Sequence, residues 1–205
     1  MCNEMLGWWY HMNYENMTKE ELIEILRYKE SVLNKLYLEK EKLKYYANTD
    51  VMTGVLNRRA GLKLLNKEFD LSKISNENIV ICFADVDKLK MINDTFGHKE
   101  GDKVLKSVAK TLRDSIRKDD FIIRMGGDEF LIVFPRTSIK DISAICNRID
   151  EILEEINKNG CEYNLNLSYG FYEYNPKVDN KMTLNDLIKN ADMEMYKKKR
   201  ENTQS

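Results

Sequence analysis

The sequence predicts an α+β domain in which helices flank a central antiparallel sheet, close to the split βαβ plan, with a long helix preceding the domain. Three observations support this fold class. Residues 18–47 contain neither Gly nor Pro, the run Ile79–Ala84 is continuously apolar, and strands alternate with helices in the predicted elements after residue 47. Such an apolar run is typical of a strand that is covered on both faces.

The tail and the long helix come first. Residues 1–17 are rich in Trp and Tyr and show no clear periodicity. Thr18 is predicted to cap a helix over residues 18–47, because an acidic residue follows three positions later. The four-three spacing of a heptad is followed by Leu22, Leu26, Leu33, Leu36, Leu43 and Ala47, but Lys29 and Lys40 occupy two of its positions.

A helix of about 30 residues reaches roughly 45 Å, which is more than a small domain covers. We therefore expect a parallel coiled coil that forms a homodimer, or a helix that packs on another partner. The alternative is an amphipathic helix folded back onto its own domain.

Residues 48–205 are predicted to form one unit of mixed elements. Apolar residues three or four positions apart predict helices at 57–69, 98–117, 138–157 and 184–200. Strands are predicted at 78–86, 120–125, 128–134 and 163–174. The order is therefore strand, helices, hairpin, helix, strand and helix, as the fold class requires.

The composition fits one globular domain with an appendage. The 205 residues include 33 Lys and Arg, 34 Asp and Glu, nine Gly and two Pro. Collagen-like, low-complexity and largely disordered chains need far more Gly and Pro or a larger net charge. A net charge of −1 leaves no broad basic surface for a nucleic acid polymer, so a nucleotide has to bind at a defined site.

The sequence also predicts the cellular setting. No apolar run approaches the ~18 residues that span a bilayer, and the N-terminus lacks the basic and then apolar order of a signal peptide. The four cysteines, at positions 2, 82, 146 and 161, form no C-x-x-C pair and are expected to be reduced. We expect a cytoplasmic protein without a membrane span.

Two carboxylates stand where the predicted buried strand ends. Alternation along a strand places Asp85 and Asp87 on one face. Carboxylates at the end of an apolar strand are costly to desolvate unless a cation or several donors meet them, and Mg²⁺ takes oxygen ligands of this kind. The alternative is a turn residue or a helix N-cap.

A predicted hairpin carries a second pair of carboxylates. Gly126 and Gly127 separate two apolar runs and predict a two-residue turn with positive φ, immediately before Asp128 and Glu129. Glycines at a hairpin tip also let a ligand approach the backbone. Pairing across such a turn places Arg124 opposite Glu129, so we expect one carboxylate to bind metal while the other pairs with Arg124.

These residues belong to a set of motifs that resembles the GGDEF-domain diguanylate cyclases. The motifs are Asp50–Arg59, Asp85–His98, Gly101-Asp102, Arg124–Phe130, Ser168–Gly170 and Ala191–Tyr196, in order along the chain. The resemblance implies a palm-like fold, as in polymerases and nucleotidyl cyclases. It also implies an enzyme that joins two GTP into cyclic di-GMP and releases pyrophosphate.

The resemblance assigns a metal site and a catalytic group. Asp85 and Asp128 would hold one or two Mg²⁺, with Mn²⁺ as an alternative ion. The Val86 carbonyl would be a further ligand, and Glu129 would lie beside the metal. A carboxylate at Asp128 or Glu129 would accept or relay the proton of the attacking hydroxyl.

The resemblance also assigns a substrate site. Asn93 and Asp102 would read guanine, and the N–H groups around Lys88 and Leu89 would bind phosphates at a helix N-terminus. Lys90 and Lys199 would contact the triphosphate beside the hairpin glycines. From the residues alone, Asp102 could instead cap a helix beginning after Gly101, and Lys199 could belong to a solvated basic helix end.

A third assignment is a site for the product. Arg117 and Asp120 stand at the spacing before Gly126 at which the family carries its inhibitory R-x-x-D motif. Two departures from the family pattern are Leu89, where Phe is usual, and Thr203, where an Arg is expected. We therefore expect weakened activity, and the rival reading is a non-catalytic receptor or scaffold that binds cyclic di-GMP through Arg117 and Asp120.

Overall fold

The structure is a computed structural model and describes residues 14–159 and 162–203. The chain divides into two compact units between Tyr45 and Tyr46. The domain boundaries predicted after residues 17 and 47 stay predictions, and most of the Trp- and Tyr-rich tail lies outside the described residues. Cys82 and Cys146 are free thiols, whereas Cys2 and Cys161 also lie outside the described residues.

The first long helix, α1, spans Lys19–Asn48. It follows a short 3₁₀ turn at Tyr14–Asn16. The predicted cap is present, because the N–H of Thr18 donates to Glu21 Oε2 over 2.8 Å and the N–H of Glu21 donates to Thr18 Oγ1 over 3.3 Å. No residue of α1 is buried.

The second unit alternates strands and helices. Its strands are β1 (Leu56–Asn57), β2 (Ile79–Val86), β3 (Phe121–Arg124), β4 (Glu129–Pro135) and β5 (Leu167–Tyr174). Its helices are α2 (Arg58–Ser75), α3 (Leu89–Phe96), α4 (His98–Ser115), α5 (Ser143–Lys158) and α6 (Leu184–Thr203). A 3₁₀ turn at Ile139–Asp141 precedes α5. No helix in the described ranges is both long enough and apolar enough to cross a membrane.

The strands form one mixed sheet in the order β1-β3-β4-β2-β5. The four longer strands pair with one another in antiparallel fashion, which confirms the predicted central sheet. Strand β1 adds a parallel edge beside β3. The sequence did not predict β1, because two residues are too few to show a strand pattern.

Strand β2 carries the apolar run, and it is covered on both faces, as predicted. All eight of its residues are buried. Val80, Cys82 and Ala84 face a core that includes residues of α3, α4 and α5, whereas Ile79 and Ile81 face a core that includes residues of α2 and α6. Alternation along the strand therefore gives each helical layer its own half of the core.

The hairpin between β3 and β4 differs from the prediction by one residue. Arg124 pairs with Phe130, and the N–H of Met125 donates to the carbonyl oxygen of Glu129 over 2.9 Å. Three residues, beginning with Gly126, therefore form the turn, and neither of its two glycines has a positive φ. The predicted two-residue turn is wrong, and the pairing of Arg124 with Glu129 is wrong for the same reason, since a one-residue slip changes every cross-strand partner.

Candidate active site

The carboxylates of two neighbouring strands meet at one end of the sheet. Asp85, near the end of β2, is the direct cross-strand partner of Glu129, the first residue of β4. Asp128 precedes Glu129 in the turn, and its carbonyl oxygen accepts the N–H of Val86 over 3.1 Å. The four residues predicted to form the metal site are therefore adjacent, because antiparallel pairing aligns the end of β2 with the start of β4.

A lysine from the last helix contacts this cluster. Lys199 Nζ donates to Oδ1 of Asp85, and the pair forms an ion bridge. α6 reaches the sheet closely at Gly170 of β5, where an added Cβ would lie 2.0 Å from the backbone nitrogen of Met195. This close approach positions the turn of α6 that carries Lys199, so the alternative of a merely solvated basic helix end is wrong for this residue.

The local field favours a positive charge. Burial raises the pKa of Asp85, and the charges of Asp128 and Asp87 raise it further, while the hydrogen bond from Lys199 lowers it. Burial also raises the pKa of Glu129, with the charges of Asp128 and Asp85 adding to the effect. For Lys199, burial acts to lower the pKa, but the hydrogen bond to Asp85 and the charges of Asp85, Asp87 and Asp128 together raise it. A bound cation would reduce the electrostatic repulsion among the carboxylates of Asp85, Asp128 and Glu129.

The donor set fits a divalent ion in its chemistry. In the ranges that the structure describes, no three side chains of His, Cys, Asp or Glu are already arranged around one point. However, Asp85 and Glu129 supply hard oxygen atoms on adjacent strands, and Asp85 already binds an ammonium group. Asp85, Glu129 and the neighbouring Asp128 are the residues that could hold Mg²⁺.

The turn after β2 leads directly into a helix N-terminus. Lys88 has a left-handed backbone with φ 57°, and α3 begins at the next residue without a side-chain cap. The Leu89 side chain is buried in the core, whereas the Lys88 and Lys90 side chains are exposed. The first N–H groups of α3 therefore have neither an intrahelical acceptor nor a capping side chain, which suits an anion.

The residues predicted to read guanine are also neighbours. The side chain of Asn93 on α3 lies against Gly101 of α4, where an added Cβ would be 1.9 Å from Asn93 Oδ1. Asp102 follows Gly101 and is half-buried. Because α4 begins at His98, the alternative that Asp102 is an N-cap is wrong.

Arg117 and Asp120 form a turn of their own. The backbone N–H of Arg117 donates to Asp120 Oδ2 over 2.9 Å, and the N–H of Asp120 donates to the Arg117 carbonyl over 3.2 Å. Asp120 is buried and its burial raises its pKa, with the hydrogen bond from Arg117 acting in the other direction. Arg117 and Asp120 are therefore close together, but one carboxylate oxygen of Asp120 already accepts a hydrogen bond within the turn.

One pair of residues near the glycines was missed by the sequence reasoning. Arg124 donates to the carbonyl oxygens of Gly127 over 2.7 Å and Gly126 over 3.2 Å, and to Asp50 Oδ1 over 2.9 Å. Burial raises the pKa of Asp50, but hydrogen bonds from Thr53 and Arg124 outweigh it and leave the pKa lowered. Asp50 is the first residue of the motif Asp50–Arg59, but 74 residues separate it from Arg124, so local sequence patterns did not indicate this contact.

A cavity of about 910 Å³ lies beside the turn that follows β2. Asp87, Lys88, Ser168 and Lys199 are among the residues that line it. The phosphate-binding turn predicted from the sequence and the lysine on α6 therefore face one space.

Comparison with known proteins places residues 47–205 in a family. Residues 47–205 match the family model described as "Diguanylate cyclase, GGDEF domain". The chain is 32% identical over 167 residues to "Probable diguanylate cyclase DgcC" of Escherichia coli (strain K12), a match that covers 81% of this chain and 44% of that protein. It is 33% identical over 166 residues to "Diguanylate cyclase DosC" of the same strain, covering 80% of this chain and 35% of that protein. The chain therefore spans less than half the length of these two relatives.

Two solved structures are similar over most of the chain. One is the coiled coil and GGDEF domain of DgcB from Caulobacter crescentus in complex with c-di-GMP, with 25% identity and a TM-score of 0.75, covering 87% of this chain and 94% of that one. The other is the diguanylate cyclase SiaD from Pseudomonas aeruginosa in complex with its activator SiaC, with 26% identity and a TM-score of 0.71, covering 97% and 74%.

Proposed function

The chain belongs to the GGDEF family of diguanylate cyclases, and on that premise we propose that it condenses two GTP molecules into cyclic di-GMP and releases pyrophosphate. The observation that carries the proposal is the direct pairing of Asp85 with Glu129 across β2 and β4, beside an uncapped helix N-terminus. Carboxylates and oriented N–H groups in this arrangement suit phosphoryl transfer, which depends mainly on alignment and on neutralising charge.

The reaction is two phosphoryl transfers of the same kind. In each, the 3′-oxygen of one nucleotide forms a bond to the α-phosphorus of the other, and the bond from that phosphorus to the bridging oxygen of pyrophosphate breaks. The hydroxyl proton passes to a carboxylate at Asp128 or Glu129. The raised pKa of Glu129, which burial causes first and the charge of Asp128 second, makes that carboxylate a better proton acceptor.

The acidic residues would also hold the metal. Asp85, Asp128 and Glu129 would bind Mg²⁺, with Mn²⁺ as the alternative, and the Val86 carbonyl would add a ligand. A bound divalent ion would neutralise charge on the phosphates and lower the pKa of the attacking hydroxyl. Lys199, which forms an ion pair with Asp85, would also contact the triphosphate.

The remaining residues would select and orient the nucleotide. The N–H groups at Lys88 and Leu89 and the side chain of Lys90 would bind phosphates. Gly126 and Gly127 would let the phosphates approach the backbone of the turn. A Cβ at Gly127 would meet nothing within 4 Å, whereas one at Gly126 would lie 2.8 Å from Glu129 Oε2. Asn93 and Asp102 would bind guanine, since a carboxylate accepts from the guanine ring N–H and amino group and repels the ring acceptor of adenine.

The proposed enzyme acts as a homodimer. One domain holds one GTP, so the two reacting groups have to meet across a two-fold axis. The heptad leucines of α1 are exposed in the single chain, with Leu26 and Leu33 each 65% exposed and Leu43 63%. Pairing of this face would bury them and turn an encounter of two domains into a nearly intramolecular reaction.

Replacing leucines on the heptad face tests the dimer. Leu33→Asp with Leu36→Asp should lower turnover at low protein concentration, because a charge at these positions opposes helix pairing. Leu38→Asp is the matched control, since Leu38 is also exposed but lies outside the heptad positions. Sedimentation measures the association, and unchanged association and turnover in the double variant would contradict the proposal.

The activity itself is tested by product analysis. Purified protein is incubated with GTP and Mg²⁺, and the products are identified by mass spectrometry. Asp85→Ala should abolish cyclic di-GMP formation, while Asp70→Ala, at an exposed Asp on α2, should not. Absence of GTP consumption together with tight binding of cyclic di-GMP that Arg117→Ala removes would support the receptor instead.

A further inference from the structure

Ser168 anchors the segment that follows β2. It lies in β5 with 2% of its surface exposed, and its Oγ donates to Oδ1 of Asp87 over 2.7 Å. The backbone N–H of Asp87 donates to the carbonyl oxygen of Asn166 over 3.0 Å. Ser168 of β5 and Asn166, just before β5, therefore hold Asp87 at two points, one on its side chain and one on its backbone.

The held residue precedes a strained turn. Lys88 has a φ of 57°, a conformation that a residue with a Cβ keeps only where its surroundings impose it. The turn directs the chain into α3, and the N–H of Ile92 donates to the Lys88 carbonyl over 3.1 Å in the first helical turn. The direction of the first N–H groups of α3 therefore depends on how firmly Asp87 is anchored.

We propose that Ser168 is a positioning residue for nucleotide binding. Through Asp87 it fixes the turn at Lys88 and so aims the first N–H groups of α3 at the phosphates. This role rests on the proposed function, which places the triphosphate at that turn. It requires no contact between the Ser168 hydroxyl and the substrate.

A purely structural role for Ser168 explains the geometry less well. A buried hydroxyl is unfavourable unless it is hydrogen-bonded, so alanine would serve better if the position only filled space. The partner of Ser168 is a carboxylate that lines the same cavity as Lys88 and Lys199. A charge-assisted bond of this kind restricts the carboxylate, and with it the backbone of Asp87.

The test is the affinity of the full chain for the α,β-methylene analogue of GTP with Mg²⁺, measured by calorimetry. Since the analogue does not react at its α-phosphorus, binding is read without turnover. Ser168→Ala should weaken binding about tenfold, which corresponds to about 1.4 kcal/mol. Ser168→Thr restores a hydroxyl and should recover most of the affinity.

Ser72→Ala is the matched control. Ser72 is 6% exposed, and its Oγ donates to the Phe69 carbonyl over 2.9 Å on α2, so this variant also loses the hydrogen bond of a buried hydroxyl. It should bind the analogue as the wild type does, because this hydroxyl does not contact Asp87 or the turn at Lys88. Equal affinity losses in the two variants would overturn the positioning role.

A second pair of variants tests the route through Asp87. Asp87→Asn keeps an oxygen acceptor and should bind within about twofold of the wild type, whereas Asp87→Ala should match Ser168→Ala. The double variant with both alanines should bind no more weakly than either single one. Additive losses in the double variant, or full affinity in Ser168→Ala, would overturn the inference, and if Ser168→Ala does not fold, the comparison of Asp87→Asn with Asp87→Ala decides it.

The outcome separates this inference from the proposed function. Wild-type protein that binds the analogue but forms no cyclic di-GMP contradicts the enzyme, while the Ser168 comparison still decides the positioning role. Wild-type protein that forms cyclic di-GMP with no effect of Ser168→Ala contradicts only the positioning role.

Discussion

Gly170 is the position at which the contact between α6 and the sheet is most sensitive to a single methyl group. An added Cβ would lie 2.0 Å from the nitrogen of Met195 and 2.5 Å from the carbonyl carbon of Glu194. Both are backbone atoms, so no change of rotamer relieves the overlap. Ordinary contacts at a Cβ are 3.4 Å or longer, and α6 therefore has to move away from β5 by more than an ångström.

Gly170→Ala should destabilise the fold and lower turnover together. Overpacking a core contact costs about 1 to 3 kcal/mol of stability, and an overlap with rigid backbone atoms should cost about 3 kcal/mol. For a chain of this size, that loss lowers the melting temperature by about 6 to 12 °C. Lys199 lies one helical turn beyond Met195 on α6, so the same displacement should separate it from Asp85.

The assay pairs denaturant unfolding with the rate of cyclic di-GMP formation, measured well below both melting temperatures. Gly127→Ala serves as the stability control, because its added Cβ meets nothing within 4 Å and its φ is not positive. That control should stay within about 0.5 kcal/mol of the wild type. Wild-type stability in Gly170→Ala would refute the reasoning, because a methyl group cannot occupy that space without moving α6.

Two further predictions concern the nucleotide site. Gly101→Ala should raise the KM for GTP and reduce the preference for GTP over ATP, because its methyl group overlaps the side chain of Asn93. The loss of stability should be small, since that side chain is flexible. Steady-state kinetics with both nucleotides and thermal melts measure these effects. Glu129→Gln should stabilise the protein at pH 7 without metal or nucleotide by a few tenths of a kcal/mol. The pKa of Glu129 is raised, first by burial and then by Asp128 and Asp85, so ionising this group opposes folding.

Each of these has a result that would contradict it. A large loss of stability in Gly101→Ala, with unchanged nucleotide preference, would mean that Asn93 does not read the base. For Glu129→Gln, the difference from wild type should grow as the pH rises through the pKa of the folded protein and vanish below the pKa of the unfolded chain. A difference that is the same at pH 4 and pH 7 would exclude a charge effect.

Much of the fold could be predicted because its signals are local. The apolar run in β2 and the capping residues of α1 act over a few positions, and the structure confirms both. The residue pattern gave no bounds for the short α3, and only the family resemblance implied a helix that begins near Leu89. Its end depends on the positive φ of Gly97, at 87°, a single backbone angle that no periodicity reports.

The hairpin shows where local reasoning fails. Two adjacent glycines predict a two-residue turn, but the turn has three residues, so Arg124 binds Asp50 and the glycine carbonyls instead of Glu129. The guanidinium satisfies carbonyl oxygens of the turn and one carboxylate together. Arg124 thus contacts a residue 74 positions away in the chain, beside a three-residue turn that the Gly-Gly dipeptide alone does not predict.

Periodicity and residue type act within a few positions, so the sequence predicted the order of the elements other than β1 and α3, the strand buried on both faces and the set of acidic and glycine motifs. Three contacts depend on how the elements pack: Asp85 faces Glu129 in register, Lys199 binds Asp85 across 114 residues of chain, and Ser168 donates to Asp87. These contacts depend on strand register and on how closely α6 approaches β5. Both are set by packing between elements that are remote in the chain, where a shift of one residue or one ångström exchanges one partner for another.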